Sequence, residues 1–448
     1  MNEKLFALRN RLFFQAKASS FEKELENVID ILKITKDSKL LADLAADLGS
    51  YMINYLEDLN EDSKKIAEQK IEQIFNILND WNETELIELT KNELNELKES
   101  NLIHLTNLGV DEKLSVRWGN DNGLGIVQAM RRGAMFVTTN PPIVNGARKQ
   151  ETDYFDRVRD DICKKYDSET VEQKVSRFTA NVVLENCKAL YPIFEKSKER
   201  YGYVHYQVNP YISKDAQAMA DEILFVYSII QNEIGGKPNV LFKVPGTKAA
   251  LKTVEMVTKL GIGVTITVNF SSAQSLAFAE RIQQGNAERS LIVMMAGRLD
   301  GPVEKDLEAA GIPEANLVAR GASRSVMYQI YHNVLKKNNL DKTNILTASI
   351  RGPWNFQASY SNDLDSDVII SAFPDKWQEY DKGEQSFEPL LQVEPDYETI
   401  NILNNSDTFK KAYEIDGLTE DEFDEYGPVM VTLSQFCSEY DELKEYLK

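Results

Sequence analysis

Cysteine, histidine, long apolar runs and nucleotide-binding glycine patterns are all scarce or missing in this 448-residue chain. Each shortage closes off a class of function. The three cysteines, Cys163, Cys187 and Cys437, are scattered without CxxC spacing and read as reduced structural thiols in a cytoplasmic protein. The three histidines, His104, His205 and His332, lie far apart, so no His/Cys metal site is expected. No apolar stretch is long enough to span a bilayer, and Met1-Asn2-Glu3-Lys4-Leu5-Phe6 carries no signal-peptide pattern. Basic residues are in deficit: 51 Lys and Arg against 71 Asp and Glu leave a formal net charge of -20. That balance disfavours nucleic acid and anionic membranes as partners. No GxGxxG follows a strand-like run and no GxxxxGK[ST] occurs, so no nucleotide cofactor is expected.

What is present divides into three stretches. Residues 1–105 contain no convincing strand and are rich in Leu, Ile, Glu and Lys. Ile66, Ile71, Ile74, Phe75 and Leu78 recur at helical spacing behind Ser63, a candidate N-cap; Leu86, Leu89, Leu94 and Leu97 continue the pattern. Such helices, carrying no catalytic cluster, predict packing or homo-oligomerisation. Residues 106–380 alternate short β-prone runs with helical stretches, and residues 381–448 form an acidic helical tail. The β-prone runs are 114–118, 134–139, 203–208, 239–244, 263–268, 290–295, 344–349 and 368–372. Eight strands with intervening helices predict an α/β fold, a parallel (β/α)8 TIM barrel with a helical N-terminal extension; an open doubly wound sheet is the alternative.

Alternation sharpens three of these runs. Val204, Tyr206 and Val208 oppose His205 and Gln207; Val240, Phe242 and Val244 oppose Leu241 and Lys243; Val264, Ile266 and Val268 oppose Thr265 and Thr267. If the apolar faces meet the helices, Gln207, Lys243 and Thr267 project inward near the C-terminal ends of consecutive strands, where barrel active sites form. Lys243 is the sharpest of these signals. An ammonium at the end of an apolar strand is costly unless it is paired, neutralised or used. Burial lowers a lysine pKa, and a neutral amine attacks carbonyls to form Schiff bases. The alternatives are a barrel lysine paired with a carboxylate, or one snorkelling to the rim.

The ordered motifs resemble those of the transaldolases. Phe136-Val137-Thr138-Thr139-Asn140-Pro141 matches the family's TTNP signature, and Leu241-Phe242-Lys243-Val244-Pro245-Gly246-Thr247 is similar to its Schiff-base strand. Thr265-Ile266-Thr267-Val268-Asn269-Phe270-Ser271, Gly297-Arg298-Leu299-Asp300 and Ala348-Ser349-Ile350-Arg351 follow in family order, and Asp416-Gly417-Leu418-Thr419 resembles the tail of longer members. The resemblance implies a metal-free transfer of a three-carbon dihydroxyacetone unit between sugar phosphates, as in the pentose phosphate pathway of carbohydrate metabolism. It implies a Schiff base on Lys243, substrate hydroxyls held by Asn140, a water or proton relay oriented by Thr267, and a phosphate held by Arg298, Ser349 and Arg351.

Three positions depart from the family pattern. Aligning Trp118 with the tryptophan of longer members puts Asn120 where the family carries an aspartate acid/base, with Asp121 adjacent; a neutral amide cannot shuttle a proton. Gln207 replaces the strand-three glutamate, as it does in the fructose-6-phosphate aldolase branch, and Val293 replaces a strand-six serine. These changes leave open a simple ketose aldolase or a sugar-phosphate-binding pseudoenzyme beside the transferase.

Overall fold

Each of the eight β-prone runs forms a strand in the computed structural model, which describes residues 2–57, 59 and 61–448. The strands are β1 (Val116–Asn120), β2 (Phe136–Thr138), β3 (Tyr203–Gln207), β4 (Val240–Pro245), β5 (Val264–Thr267), β6 (Ser290–Met295), β7 (Thr343–Ala348) and β8 (Val368–Ala372). All pair in parallel in chain order, and β8 returns to β1 through Val116↔Val368 to Asn120↔Ala372. This closed (β/α)8 barrel excludes the open sheet. β-branched and aromatic residues at alternate positions drive it: Val204, Phe242, Val244, Val264 and Ile266 are all fully buried on the helix-facing side.

Two strand ends depart from expectation. The first strand starts two residues later than its run, because Ser115 instead donates its backbone N–H to the Ser361 carbonyl. β5 stops at Thr267, and Val268 turns out of the sheet at φ 52°. A left-handed backbone is strained for a β-branched residue. Its N–H is held by the Met295 sulfur and its carbonyl by the Gln274 amide.

The N-terminal helices pack on the barrel and share one apolar core with it, running from Leu12, Phe13 and Leu41 to Phe136 and Val204. The helix over Ser63 begins at Glu61, so Ser63 is buried within its first turn and is not the N-cap. In the next helix, Thr84–Lys98, Leu94 and Leu97 are buried while Leu89 stays exposed. The extension is also fastened electrostatically. Asp47, fully buried, accepts from Arg9 at 2.7 Å and from Arg131 at 2.8 Å. Arg131, on the helix after β1, also pairs with Asp43 and Glu93. At the N-terminal mouth of the barrel, Asp367 binds Arg200 and Arg289 and accepts from Tyr201. Charge paired at that end serves stability, because chemistry in such barrels sits at the strand C-termini.

The helix Gly427–Tyr446 crosses the C-terminal face. Its Glu439 carbonyl accepts from Asn145, and its Asp441 accepts from the Tyr211 hydroxyl. Among the described residues, no helix is long and apolar enough to cross a membrane.

Candidate active site

Lys243 lies near the C-terminal end of β4, 7 % exposed, with its Nζ donating to the Thr139 carbonyl at 3.0 Å. The side chain is inside the barrel, since its neighbours in the strand, Phe242 and Val244, are buried on the other side; Phe242 packs against outward-facing Tyr206. Burial pushes the ammonium's pKa below the ordinary lysine range; the Asp121 carboxylate opposes this, and the Arg298 charge adds to it.

Asp121 follows β1 and is 5 % exposed. Burial raises its pKa, against the pull of Lys243, the Thr138 hydroxyl, Arg298 and Arg351. One desolvated space therefore drives a lysine and a carboxyl toward their neutral forms, an arrangement suited to nucleophilic and acid/base work. Asn120, one residue earlier, is not in this space. Its Oδ1 accepts from Trp377 Nε1 at 3.2 Å, and its Nδ2 donates to the carbonyls of Asn122 and Leu124. It shares the helix-facing side of β1 with Trp118, whose ring also meets Trp377. The structure thus brings Asp121, and not Asn120, toward Lys243.

Gln207 is paired in register with Lys243, and Thr267 with Pro245. The Gln207 Oε1 is buried without a hydrogen-bond partner, an acceptor left over inside the barrel. Thr267 Oγ1 lies 3.9 Å from the Met295 sulfur. One layer deeper, His205 Nδ1 lies 3.1 Å from Thr265 Oγ1, and burial keeps its ring from taking a second proton. Asn140 caps the helix Pro141–Gln150: its Oδ1 accepts from the Ile143 N–H at 3.0 Å while Pro141 occupies the first helical position. The cap engages the carboxamide oxygen and leaves the NH2 as the group free to donate to a ligand.

Arg298 and Arg351 face the same mouth, Arg298 from the first turn of the helix Ala296–Ala309 that follows β6 and Arg351 from the loop after β7. Neither forms a salt bridge among the described residues. Burial first, then the positive charge of Arg351, works against the Arg298 guanidinium, whose face lies over Phe436 at 5.4 Å. Two adjacent cations without a carboxylate partner form a site for an anion. Ser349, at φ 61°, turns the chain between them, and its carbonyl accepts from the Gly297 N–H at 3.1 Å. A side chain at Gly297 would come within 2.3 Å of the Arg351 Cγ, so only glycine lets that arginine lie there.

Four contributors escaped sequence reasoning. Thr138 and Ser371 bond one another and, through Thr138, the Asp121 carboxylate. Asp300 is buried beneath the arginines, accepting from the Ser323 N–H at 2.9 Å and its hydroxyl at 3.1 Å. Burial pushes its carboxyl up to about 7. Asn355, which also stabilises Asp300, accepts from the Arg351 backbone N–H at 2.9 Å. Thr138 and Asp300 lay within recognisable motifs, but Ser371 and Asn355 had no local signal.

The fold and the position of these groups define an (β/α)8 barrel protein with its polar site at the strand C-termini. Residues 126–400 match the model of the transaldolase/fructose-6-phosphate aldolase family, and the chain belongs to that family. β1, with Asn120 and Asp121, precedes the matched stretch. The chain is 29% identical over 215 residues to a transaldolase of Thiobacillus denitrificans, covering 44% of this chain and 57% of that one. It is 28% identical over 264 residues to transaldolase 2 of Streptomyces avermitilis (53% and 68%), and 30% identical over 164 residues to a transaldolase of Neisseria meningitidis serogroup A (37% and 44%). The chain spans about half the length of most of the curated relatives it matches.

Proposed function

We propose that this chain transfers a three-carbon dihydroxyacetone unit between sugar phosphates through a Schiff base on Lys243. The observation that carries the reading is a lysine buried inside the barrel, its Nζ on the Thr139 carbonyl, at the same mouth as two arginines that form no salt bridge among the described residues. Lys243 attacks the ketose carbonyl as the neutral amine, and loss of water gives an iminium. Asp121 takes the proton of the C4 hydroxyl while the C3–C4 bond breaks and its electrons enter the iminium. An aldehyde leaves, and the enamine on Lys243 adds to an acceptor aldehyde, whose new alkoxide recovers the proton from Asp121. Hydrolysis of the imine frees the product. Gln207 and Thr267 orient the water, Asn140 holds substrate hydroxyls, and Arg298, Arg351 and Ser349 hold the phosphate. Asn120 supports the end of β1 without touching substrate.

In this reading the protein works in the cytoplasm. Residues 1–105 are a packing element, 106–380 the catalytic barrel, and 381–448 a segment laid against it. Fructose 6-phosphate or dihydroxyacetone with borohydride should add mass to the peptide containing Lys243 alone. Lys243→Met should abolish the adduct and keep the fold, since a thioether suits an apolar strand site. Label on a different lysine would overturn the assignment. Gln207 favours a second reading, a ketose aldolase that releases its three-carbon fragment; free dihydroxyacetone without acceptor transfer would select it.

A further inference from the structure

We infer that Ser371 is a positioning residue that sets the proton affinity of Asp121 through the hydroxyl of Thr138. The inference rests on two contacts. Thr138 Oγ1 lies 2.5 Å from Asp121 Oδ1 and 2.5 Å from Ser371 Oγ. All three side chains are at most 5 % exposed, so the chain of oxygens is screened from bulk water. It also crosses a strand: β1 lies between β8 and β2, and the β1 residue paired with Ser371 is Gly119, which has no side chain to block the reach.

Counting protons fixes the direction of each bond. A threonine hydroxyl has one proton to give. When Asp121 is ionised it only accepts, so Thr138 donates to it and Ser371 must donate to Thr138. When Asp121 carries a proton it donates to Thr138, and Thr138 turns its own proton to Ser371. Both states keep every group bonded without moving a heavy atom. They are not equally favoured, because hydrogen bonds that end on a charge are the stronger ones. Ser371 therefore supports the ionised form at one remove. The charged groups facing Asp121 are Lys243 of β4, Arg298 after β6 and Arg351 after β7, and all three act in the same direction. Ser371 is the contribution from β8, on the side where no cation is found among those acting on Asp121.

This role presupposes that Asp121 is the acid/base, and two readouts separate the ideas. Infrared difference spectra across a pH titration of the ligand-free protein give the Asp121 midpoint, with its carboxyl band assigned by its loss in Asp121→Asn. Ser371→Ala should raise that midpoint by about half a pH unit or more. Ser371→Thr, which keeps a hydroxyl, should restore it. An unmoved midpoint in Ser371→Ala overturns the inference. If the midpoint rises while Asp121→Asn retains full turnover, Ser371 does tune Asp121, and it is the acid/base assignment that falls.

Discussion

Asn120 and Asp121 are consecutive residues whose side chains leave β1 on opposite faces, one bonded to Trp377 and the other to Thr138. One peptide unit decides which of them meets substrate.

Asp121→Asn should therefore lower turnover by about 10²- to 10⁴-fold, the usual range for a positioned acid/base. Asn120→Asp should not raise it. The new carboxylate would oppose the carbonyls of Asn122 and Leu124, which now accept from the Asn120 amide, and should cost about 1–3 kcal/mol of stability. Steady-state kinetics and thermal melts on the two variants check this. A faster Asn120→Asp enzyme would restore the register in which Asn120 holds the acid's place.

The arginine pair should separate into two effects. Arg351→Ala should raise KM for a phosphorylated ketose by about 10- to 100-fold, the loss of one charge-assisted pair, and leave dihydroxyacetone nearly unaffected. Arg298→Gln should in addition slow borohydride trapping near neutral pH. Its charge helps hold Lys243 below the usual lysine range, so removing it raises that pKa and leaves less free amine. Trapping rates against pH read this directly; a profile displaced toward lower pH would contradict it.

Asp300 makes stability depend on pH. Its folded-state pKa is raised from 3.8 to about 7, chiefly by burial. Its contribution is thus fully present below the unfolded value and is lost as pH rises through the folded one. Asn at this position keeps an acceptor for Ser323 and does not titrate. The stability advantage of Asp300→Asn over the parent should grow between about pH 4 and 7 and level off above, by about 2–4 kcal/mol in all. Denaturant melts at several pH values measure the difference, and a pH-independent gap would count against the shifted carboxyl.

Asp47→Ala should cost about 3–5 kcal/mol, because it leaves Arg9 and Arg131 buried without their shared partner. Burial alone would raise the Asp47 pKa, but the two guanidiniums hold it below the ordinary value. The stability it supplies is present above that value and is lost as pH falls through the lowered one. Urea melts of the parent and variant should converge in acid.

Sequence reading located the eight strands because each is a short run of branched or aromatic residues between helical segments, a local signal. The inward faces of β3, β4 and β5 followed from alternation alone. The end of β1 did not. What fixes Asn120 is a tryptophan 257 positions later, and nothing near residue 120 announces it. Ser371 was hidden for the same reason: it is one small polar residue in an apolar strand until closure of the barrel sets it beside Thr138. The Ser63 cap failed in another way, since a serine before an apolar stripe also fits a buried position within a helix's first turn.

The Asp47–Arg131 pair also bears on how the chain acquires its shape during synthesis. Asp47 leaves the ribosome 84 residues ahead of Arg131. The leading helices can form early, since their contacts are local and Arg9 is already at hand to pair with Asp47, but the second cation of that buried cluster arrives only with the segment following β1. The N-terminal portion can thus neutralise Asp47 once but completes its buried charge cluster only as the barrel's first strand and helix arrive. Early commitment to a separate, finished unit is disfavoured, and the order of synthesis is coupled to the order of burial.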